Sequence, residues 1–293
     1  MSKDGFKNVE ACESKIVNTT NQNLFGRYWG EDAEIAQPSG LVFISHGAGE
    51  HCLWYNQLAT QLTDKNLFAF AHDHIGHGQS DGDRVHIDDF DIYVNDVFHH
   101  IEIVQKKFPD VPTFIIGHSM GGAIAIMAGL KRPKFFKGVV LIAPAITPSP
   151  DAVQPWKITM GRFLSRLCPQ APILKLDPNN VSRDEAVVNR YKEDPLVHHG
   201  GLKAKWGLCM INTLKYIEDN LSTITFPYLN LHGDQDKLVD IQGSEDMHEH
   251  STSSDKTFKK YEGYYHQLHN EPGEDGAGVR QEIVTWITDR LPH

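Results

Sequence analysis

Short runs of apolar residues alternate along this chain with longer segments in which apolar residues recur every three or four positions. Short runs are typical of strands buried on both faces of a sheet, whereas the spaced segments are typical of amphipathic helices. The runs lie at residues 41–45, 67–71, 113–116, 137–143, 226–231 and 257–261. Because strands and helices alternate, the pattern predicts right-handed βαβ units and a mostly parallel sheet.

Helices are predicted in several of the segments between and after these strands. The spaced segments cover residues 54–65, 90–108, 121–129 and 278–291. Ahead of the first buried strand, residues 8–29 alternate weakly between apolar and polar positions around Asn21-Gln22-Asn23, a sequence suited to a hairpin turn. We therefore predict two edge strands in this part of the chain.

One region, residues 144–225, departs from the alternation of strands and helices. It contains no run suited to a buried strand, and eight prolines interrupt it. Apolar residues recur there at helical spacing over residues 156–167 and 206–217. We predict an α/β core formed by residues 1–146 and 226–293, with residues 147–225 inserted as a helical cap.

Composition narrows the class of protein. Of the 293 residues, 40% are hydrophobic and 23% are charged, as in ordinary soluble globular proteins. The net charge of −10 disfavours binding to nucleic acid, and no apolar run is long enough to span a membrane. The four cysteines are widely spaced, which suggests free thiols, and residues 1–5 lack the apolar core of a signal peptide. We therefore expect a cytoplasmic protein that is not secreted.

The candidate chemistry centres on the pattern Gly117-x-Ser119-x-Gly121. It lies between an apolar run and a helix rich in small residues, which is the context of a nucleophile elbow. Such a sharp turn holds its central residue in a strained backbone conformation, and glycine supplies neighbours that are nearly free of side chain. We predict that Ser119 is a catalytic nucleophile rather than a residue that only caps the helix.

A serine nucleophile needs a base, and the base needs an acid that orients it. On an elbow architecture the order along the chain is serine, acid, histidine. The acid is expected in the loop after the second-to-last predicted strand, where Asp234, Asp236 and Asp240 are candidates. The base is expected after the last strand, where His266 and His269 are candidates. Spacing alone does not choose within either set.

Backbone N–H groups are expected to stabilise the oxyanion that forms during acyl transfer. One donor is the N–H of Met120, the residue after the nucleophile. The second is expected from the loop at residues 46–49, whose glycines let the main chain approach a substrate. Each donor is expected to contribute about 10²–10³ in rate.

Three histidines have a spacing that a metal ion could use. His72, His74 and His77 follow directly on a buried strand, and no second cluster of carboxylates or cysteines completes a ligand set. We therefore predict no metal site and no other cofactor. Dehalogenases and epoxide hydrolases need an aspartate at the elbow, so Ser119 argues against both of these activities.

Four stretches of the chain carry a dense resemblance to a known family. They read HGAGEH at 46–51, AHDHIGHGQS at 71–80, GHSMGGAIAI at 117–126 and YEGYYHQLH at 261–269, with a further match at 194–203. From about residue 20 to residue 290, the chain resembles the monoglyceride lipases of the α/β-hydrolase superfamily. The resemblance implies an α/β-hydrolase fold, with a mostly parallel central sheet, helices on both faces and an inserted helical cap.

The resemblance also assigns roles to residues that spacing leaves open. It implies that Asp236 is the acid and His266 the base of a triad with Ser119. It implies that the N–H groups of Ala48 and Met120 form the oxyanion hole.

A polar pocket for glycerol is also implied, with Glu50 and His269 at the matching positions. Tyr265 is a further candidate for contact with substrate. In mammalian members an arginine stands four residues after the glutamate, where this chain has Trp54. A cysteine stands three residues after the acid in those members, where this chain has Val239.

The implied activity is hydrolysis of monoacylglycerols to a fatty acid and glycerol through an acyl-enzyme, without a cofactor. The alternatives are a lysophospholipase or another carboxylesterase of the same fold, and a lipid-binding protein without catalysis, which would usually have lost a triad residue. Apolar cap residues could line a tunnel for the acyl chain or contact a bilayer. They are Trp156, Ile158, Met160, Phe163, Leu164 and Leu167. The expected partners are therefore a lipid substrate, a membrane surface touched by the cap and, if the protein is a homodimer rather than a monomer, a second copy of the chain.

Overall fold

The central element of the fold is an eight-stranded sheet. The computed structural model describes residues 11–29, 37–148 and 154–292. Its strands are β1 (Ala11–Val17), β2 (Asn23–Trp29), β3 (Gly40–Ser45), β4 (Leu67–His72), β5 (Thr113–His118), β6 (Gly138–Ile142), β7 (Pro172–Leu174), β8 (Leu202–Lys203), β9 (Tyr228–Gly233) and β10 (Lys256–Tyr261). The central sheet has the order β1-β2-β4-β3-β5-β6-β9-β10, while β7 and β8 form a separate antiparallel pair.

The direction of the strands confirms the predicted sheet. The six strands from β4 to β10 in the spatial order pair in parallel, as expected for βαβ units. The hairpin of β1 and β2 joins β4 in antiparallel orientation at one edge, which confirms the two predicted edge strands. Residues 8–10 of that prediction lie outside the described residues.

Eight helices occur in the described part of the chain. They are α1 (Asn56–Thr63), α2 (Asp91–Lys107), α3 (Met120–Lys131), α4 (Pro155–Leu167), α5 (Glu185–Glu193), α6 (Ala204–Asp219), α7 (Gln242–His250) and α8 (Glu274–Thr288). The predicted helix over residues 54–65 is instead a 3₁₀ turn, Cys52–Tyr55, followed by α1. The last helix begins four residues before its predicted start, because Glu274 and Asp275 favour the positive end of the helix dipole.

Helices α5 and α7 were not predicted from the apolar pattern. Helix α7 buries little besides Met247 and two small residues, so its sequence shows no apolar stripe. Helix α5 buries only Val188 and Tyr191, and its start is marked by the Asp184 side chain, which accepts a hydrogen bond from the Ala186 N–H. Both helices are therefore supported more by their neighbours than by a strong amphipathic pattern.

Apolar side chains pack on both faces of the sheet. One layer packs α2 and α3 against the sheet, with α6 lying on α3, and the other packs α1 and α8. The loops after β3, β5, β9 and β10 all leave the sheet at its carboxyl edge, where ligands bind in open α/β sheets. The predicted chemistry therefore falls on one edge.

Between β6 and β9, the residues that the structure describes add no strand to the central sheet. Its described part contains α4, α5, α6 and the short pair of β7 and β8, in agreement with the predicted lack of a buried strand. The side chains of Trp156, Ile158 and Met160, which the sequence placed under or on the cap, lie outside the described residues. None of the described helices has both the length and the apolarity needed to cross a bilayer.

Candidate active site

The turn from β5 to α3 has the geometry of a nucleophile elbow. Ser119 has φ 55° and ψ −118°, a strained conformation that costs on the order of 1–3 kcal/mol and persists only where the surroundings enforce it. The chain passes so close to itself that a Cβ on Gly121 would lie 2.0 Å from the Ser45 carbonyl oxygen. A Cβ on Gly117 would lie 2.3 Å from the Gly121 oxygen. The glycine spacing of the motif is thus a steric requirement of the turn.

An aspartate and a histidine from the two predicted loops are paired. Nδ1 of His266 lies 2.7 Å from Oδ2 of Asp236, and the Asp236 side chain is fully buried. Oδ1 of Asp236 accepts hydrogen bonds from the N–H groups of Leu238 and Val239, at 2.8 and 3.0 Å. His232 Nε2 lies 3.3 Å from Oδ2. Both oxygens are therefore held, and the carboxylate can orient the His266 ring.

The electrostatics of the pair suit a neutral base beside an ionised acid. Burial alone would raise the pKa of Asp236, but the charge of His266 and hydrogen bonds from the His232 and His266 rings outweigh it and hold that pKa well below its usual range. Burial lowers the pKa of His266 below 6.5, and Asp236 offsets only part of this effect. His266 is therefore neutral at pH 7 and able to accept a proton.

The other candidates for acid and base have different surroundings. Asp234 accepts a hydrogen bond from the Gly263 N–H at 2.7 Å, and Asp240 accepts one from the Gln242 N–H at 3.0 Å. The His269 ring stacks on Tyr55 with a centroid distance of 4.9 Å. Of the candidate acids and bases that spacing left open, only Asp236 and His266 contact each other in the described part of the chain.

Ser119 and His266 line one cavity of about 330 Å³. The N–H groups of Ala48 and Met120 belong to residues of the same lining, and neither N–H donates to another described residue. Most of the remaining wall is apolar. Its apolar members include Ile173, Leu174, Leu176, Val181, Leu202, Trp206, Met210, Ile211 and Leu214. The cavity therefore combines a serine, a neutral histidine and two unpaired backbone donors with a water-excluding wall.

Glu50 also lines this cavity, but its carboxylate is already engaged. Oε1 accepts hydrogen bonds from the Gly47 N–H at 2.7 Å, the Tyr55 hydroxyl at 2.5 Å and Nδ1 of His118 at 3.0 Å. Oε2 accepts one from the side-chain amide of Gln267 at 2.9 Å. Burial would raise the pKa of Glu50, but His118 and the Tyr55 hydrogen bond outweigh it, so the pKa lies below its usual value.

Three further residues that were discussed from the sequence lie outside the lining of this cavity. His269 is 1% exposed behind Tyr55, and burial lowers its pKa well below the usual value. Tyr265 has the Lys237 ammonium 5.5 Å from its ring centre. Trp54 is buried beside Tyr191 of α5, with the Arg190 guanidinium 4.2 Å from its ring centre. None of the three is a lining residue of the 330 Å³ cavity.

The lining contains polar residues that were not singled out from the sequence, among them His118, Tyr191 and Gln267. The His118 ring lies 4.7 Å from the His266 ring, and its Nε2 is buried without a hydrogen-bond partner. His118 and Gln267 are the sequence neighbours of Ser119 and His266, which is the one local signal that could have pointed to them. Tyr191 comes from α5, a helix that the apolar pattern did not reveal.

The histidines that suggested a metal are instead paired within the protein. Nε2 of His74 lies 2.9 Å from the Ser45 hydroxyl, and Nδ1 of His72 lies 3.2 Å from Nδ1 of His100. Burial lowers the pKa of both rings and of His77. Among the described residues, no three His, Cys, Asp or Glu side chains are grouped so that they could hold a metal ion.

Comparison with known proteins places this site in a family. The sequence profile described as serine aminopeptidase, S33 (Hydrolase_4) matches residues 36–273. The chain is 41% identical over 276 residues to the monoglyceride lipase of Rattus norvegicus. The aligned region covers 94% of this chain and 90% of that protein. The chain is 35% identical over 263 residues to the monoacylglycerol lipase of Mycolicibacterium smegmatis, covering 90% of this chain and 92% of that one.

A solved structure agrees with the sequence comparison. The crystal structure of the monoacylglycerol lipase of Paleococcus ferrophilus superposes with a TM-score of 0.81 at 30% identity, covering 91% of this chain and 99% of that chain. This match confirms the predicted α/β-hydrolase fold. From sequence, fold and site together, the chain belongs to the monoglyceride lipase family of serine ester hydrolases.

Proposed function

We propose that this protein hydrolyses monoacylglycerols to a fatty acid and glycerol, with Ser119, His266 and Asp236 as its catalytic triad. The observation that carries the proposal is the buried pair of His266 and Asp236, 2.7 Å apart, in a largely apolar cavity whose lining also contains Ser119. Membership of the family supports the choice of substrate.

The reaction follows from the roles of these side chains. The Ser119 oxygen attacks the ester carbonyl while Nε2 of His266 takes its proton, and Asp236 stabilises the imidazolium that results. The N–H groups of Ala48 and Met120 donate to the oxyanion. Glycerol leaves with the proton from His266, which then activates water to hydrolyse the acyl-enzyme and release the fatty acid.

The apolar wall supports an acyl chain as the occupant of the cavity. Each CH₂ group moved from water into such a wall contributes about 0.8 kcal/mol, so a long chain gains substantial binding energy there. The wall draws on β7, β8 and α6, between β6 and β9. We therefore propose that residues 147–225 act as a cap that shelters the acyl chain, while residues 1–146 and 226–293 form the core.

Polar groups in the same lining support a small hydroxylated leaving group. Nε2 of His118 is free, Oε2 of Glu50 has one remaining lone-pair direction, and Tyr191 carries a hydroxyl. We propose that glycerol contacts these groups. Trp54 holds α5 by packing against Tyr191 and Arg190 in this chain, so it acts on glycerol only through the cap.

Hydrolysis of a substrate panel tests the proposed function. We expect the highest kcat/KM for 2-monoacylglycerols with long acyl chains, and a lower kcat/KM for lysophosphatidylcholine of the same chain length, because its headgroup is much larger than glycerol and its phosphate is repelled by the Glu50 carboxylate in the lining. Equal or faster cleavage of lysophosphatidylcholine would favour the lysophospholipase alternative. No turnover of any ester by the folded protein would favour a lipid-binding role.

We also propose that the cap contacts the lipid surface that supplies the substrate. Phe163 and Leu167 of α4 are 66% and 64% exposed, and Ile173 and Leu174 of β7 are about half exposed while also lining the cavity. An exposed apolar patch that continues into a lipid-binding cavity suits insertion into a bilayer. The three cysteines whose side chains the structure describes, among them Cys168, are free, which supports a reducing, cytoplasmic side of that bilayer.

Flotation with phosphatidylcholine vesicles checks the membrane contact. We expect Phe163→Ser and Leu167→Ser together to lower the vesicle-bound fraction about tenfold, because each change removes an apolar side chain worth about 1 kcal/mol or more at the interface. Cleavage of a dissolved short-chain ester should stay unchanged. Val17→Ser, at a 53% exposed position on edge strand β1, is the matched control. Equal binding by all of these proteins would contradict the contact.

A further inference from the structure

A buried amide attaches the loop that carries His266 to the oxyanion loop. Gln267, the residue after His266, is 1% exposed and donates from its side-chain amide to Oε2 of Glu50 at 2.9 Å. The two residues are 217 positions apart in sequence, so this bond joins distant parts of the chain. It connects two segments whose relative position matters for the chemistry.

Glu50 is the point at which three of the catalytic segments meet. Its other oxygen accepts from the Gly47 N–H, next to Ala48, and from the ring of His118, next to Ser119. One carboxylate therefore bonds to a neighbour of the oxyanion donor, a neighbour of the nucleophile and a neighbour of the base. A change in any one of these bonds changes the distance between groups that must react together.

The remaining bonds of Gln267 leave its side chain little freedom. Its Oε1 accepts from the Asn270 side chain at 3.1 Å, and its backbone N–H donates to the Val181 carbonyl at 2.7 Å. The Asn270 N–H in turn donates to the Gln267 carbonyl at 2.8 Å. Because the amide is held at both ends, the Gln267 N–H groups have a defined direction toward Glu50.

Among the residues that the structure describes, no lysine or arginine bonds to the Glu50 carboxylate. The four hydrogen-bond donors to the carboxylate are a backbone N–H, a phenol, an imidazole and the Gln267 amide, without lysine or arginine. Trp54, which stands where mammalian members of the family have an arginine, packs on Arg190 of α5. Among the described residues, Gln267 is thus the one that donates a hydrogen bond to Oε2 of Glu50.

We propose that Gln267 is a positioning residue, which sets the distance between the base and the oxyanion hole by bonding to Glu50. This proposal rests on the triad of the proposed function and adds a residue that does not itself react. A hydrogen bond to a charged group is one of the stronger bonds inside a protein, and misplacement of reacting atoms is costly. Loss of the bond should therefore appear in kcat and not in KM.

Gln267→Met tests the proposal, because methionine has a similar length and no donor. We expect kcat/KM to fall about tenfold to a hundredfold, by the same factor on a 2-monoacylglycerol and on the p-nitrophenyl ester of the same acid, with KM little changed. Gln281→Met, at an exposed position on α8, is the matched control and should behave as wild type. A loss confined to the glycerol ester, or to KM, would show direct contact with glycerol and overturn the proposal.

Gln267→Glu adds a second measurement, the pH dependence of kcat, which a purely structural role of Gln267 would leave unchanged. At high pH the introduced carboxylate repels Glu50, but at lower pH it is protonated and can donate to Oε2 again. We expect the ratio of its kcat to that of wild type to rise about tenfold from about pH 8 to about pH 6, whereas the ratio for Gln267→Met stays flat. Equal, flat ratios for both variants would overturn the proposal.

The ratio of kcat between a variant and wild type isolates the effect of residue 267, because the other titratable groups near Glu50 are the same in each protein. The titratable groups that face Glu50 and Gln267 are common to all three proteins: His46, Tyr55, His77, His118, Tyr191, His266 and His269. The p-nitrophenyl ester also separates two failures. If wild type cleaves that ester but no monoacylglycerol, the proposed substrate is wrong while the effect of Gln267 is still measured.

Discussion

Replacing Ser119 with alanine is expected to lower kcat for ester hydrolysis by on the order of 10⁶-fold. The residual rate would come from the oxyanion donors and from substrate binding. The variant should fold as wild type does, because alanine keeps the same Cβ at φ 55° and removes only the hydroxyl. Steady-state hydrolysis of a 2-monoacylglycerol and labelling by a fluorophosphonate probe both measure the loss.

A second serine gives the matched control for that experiment. Ser222 is exposed in the turn before β9, and Ser222→Ala should label and hydrolyse as wild type does. Persistent labelling of Ser119→Ala would show that another nucleophile reacts. Hydrolysis that survives the substitution at more than about 1% of the wild-type rate would contradict the assignment of Ser119.

The elbow was predictable from sequence because its requirements are local. A strand, two glycines around a serine and a helix all lie between Thr113 and Lys131, and the steric limits at Gly117 and Gly121 operate within that span. The parallel sheet was predictable for a related reason. Strands buried on both faces are apolar throughout, and that pattern is visible without any knowledge of their neighbours.

The choice of acid and base was not predictable from spacing because it depends on distant contacts. Asp234 and Asp236 lie in one loop two residues apart, but only Asp236 contacts the ring of His266 from the loop after β10. His266 and His269 differ in the same way. The resemblance to a family supplied the assignments that the local pattern could not, and the contact of Asp236 with His266 agrees with them.

The bond between Glu50 and Gln267 lay beyond sequence reasoning for the same cause. The resemblance implied that Glu50 binds glycerol. Nothing near Glu50 in sequence indicates Gln267 as its hydrogen-bond partner. The resemblance placed His269 in the same pocket, and the structure stacks its ring on Tyr55, whose hydroxyl donates to Glu50. Helix α5, which supplies Tyr191 to the cavity, was missed because only two of its residues are buried.

Asp236→Asn is expected to lower kcat by on the order of 10⁴-fold, although it changes one atom. The N–H groups of Leu238 and Val239 both donate to Oδ1, so the oxygen of the new amide must remain there. Its NH₂ group then faces Nδ1 of His266. That nitrogen must become an acceptor, which moves the ring proton to Nε2, where His266 can no longer take the proton of Ser119. Hydrolysis of a soluble ester and the rate of fluorophosphonate labelling both report this loss.

Asp234→Asn makes the same chemical change in the same loop and separates the effect on the base from damage to the loop. Asp234 accepts only the Gly263 N–H among the described residues, so this variant should stay within a few-fold of wild type. An equal loss in both variants would contradict the role of Asp236.

The pH profile of Asp236→Asn gives a further check. Asp236 raises the pKa of His266, so its removal should lower that pKa. The acid limb of any remaining activity should then shift to lower pH, because the neutral base persists further into acid. A shift to higher pH would require a different partner for His266.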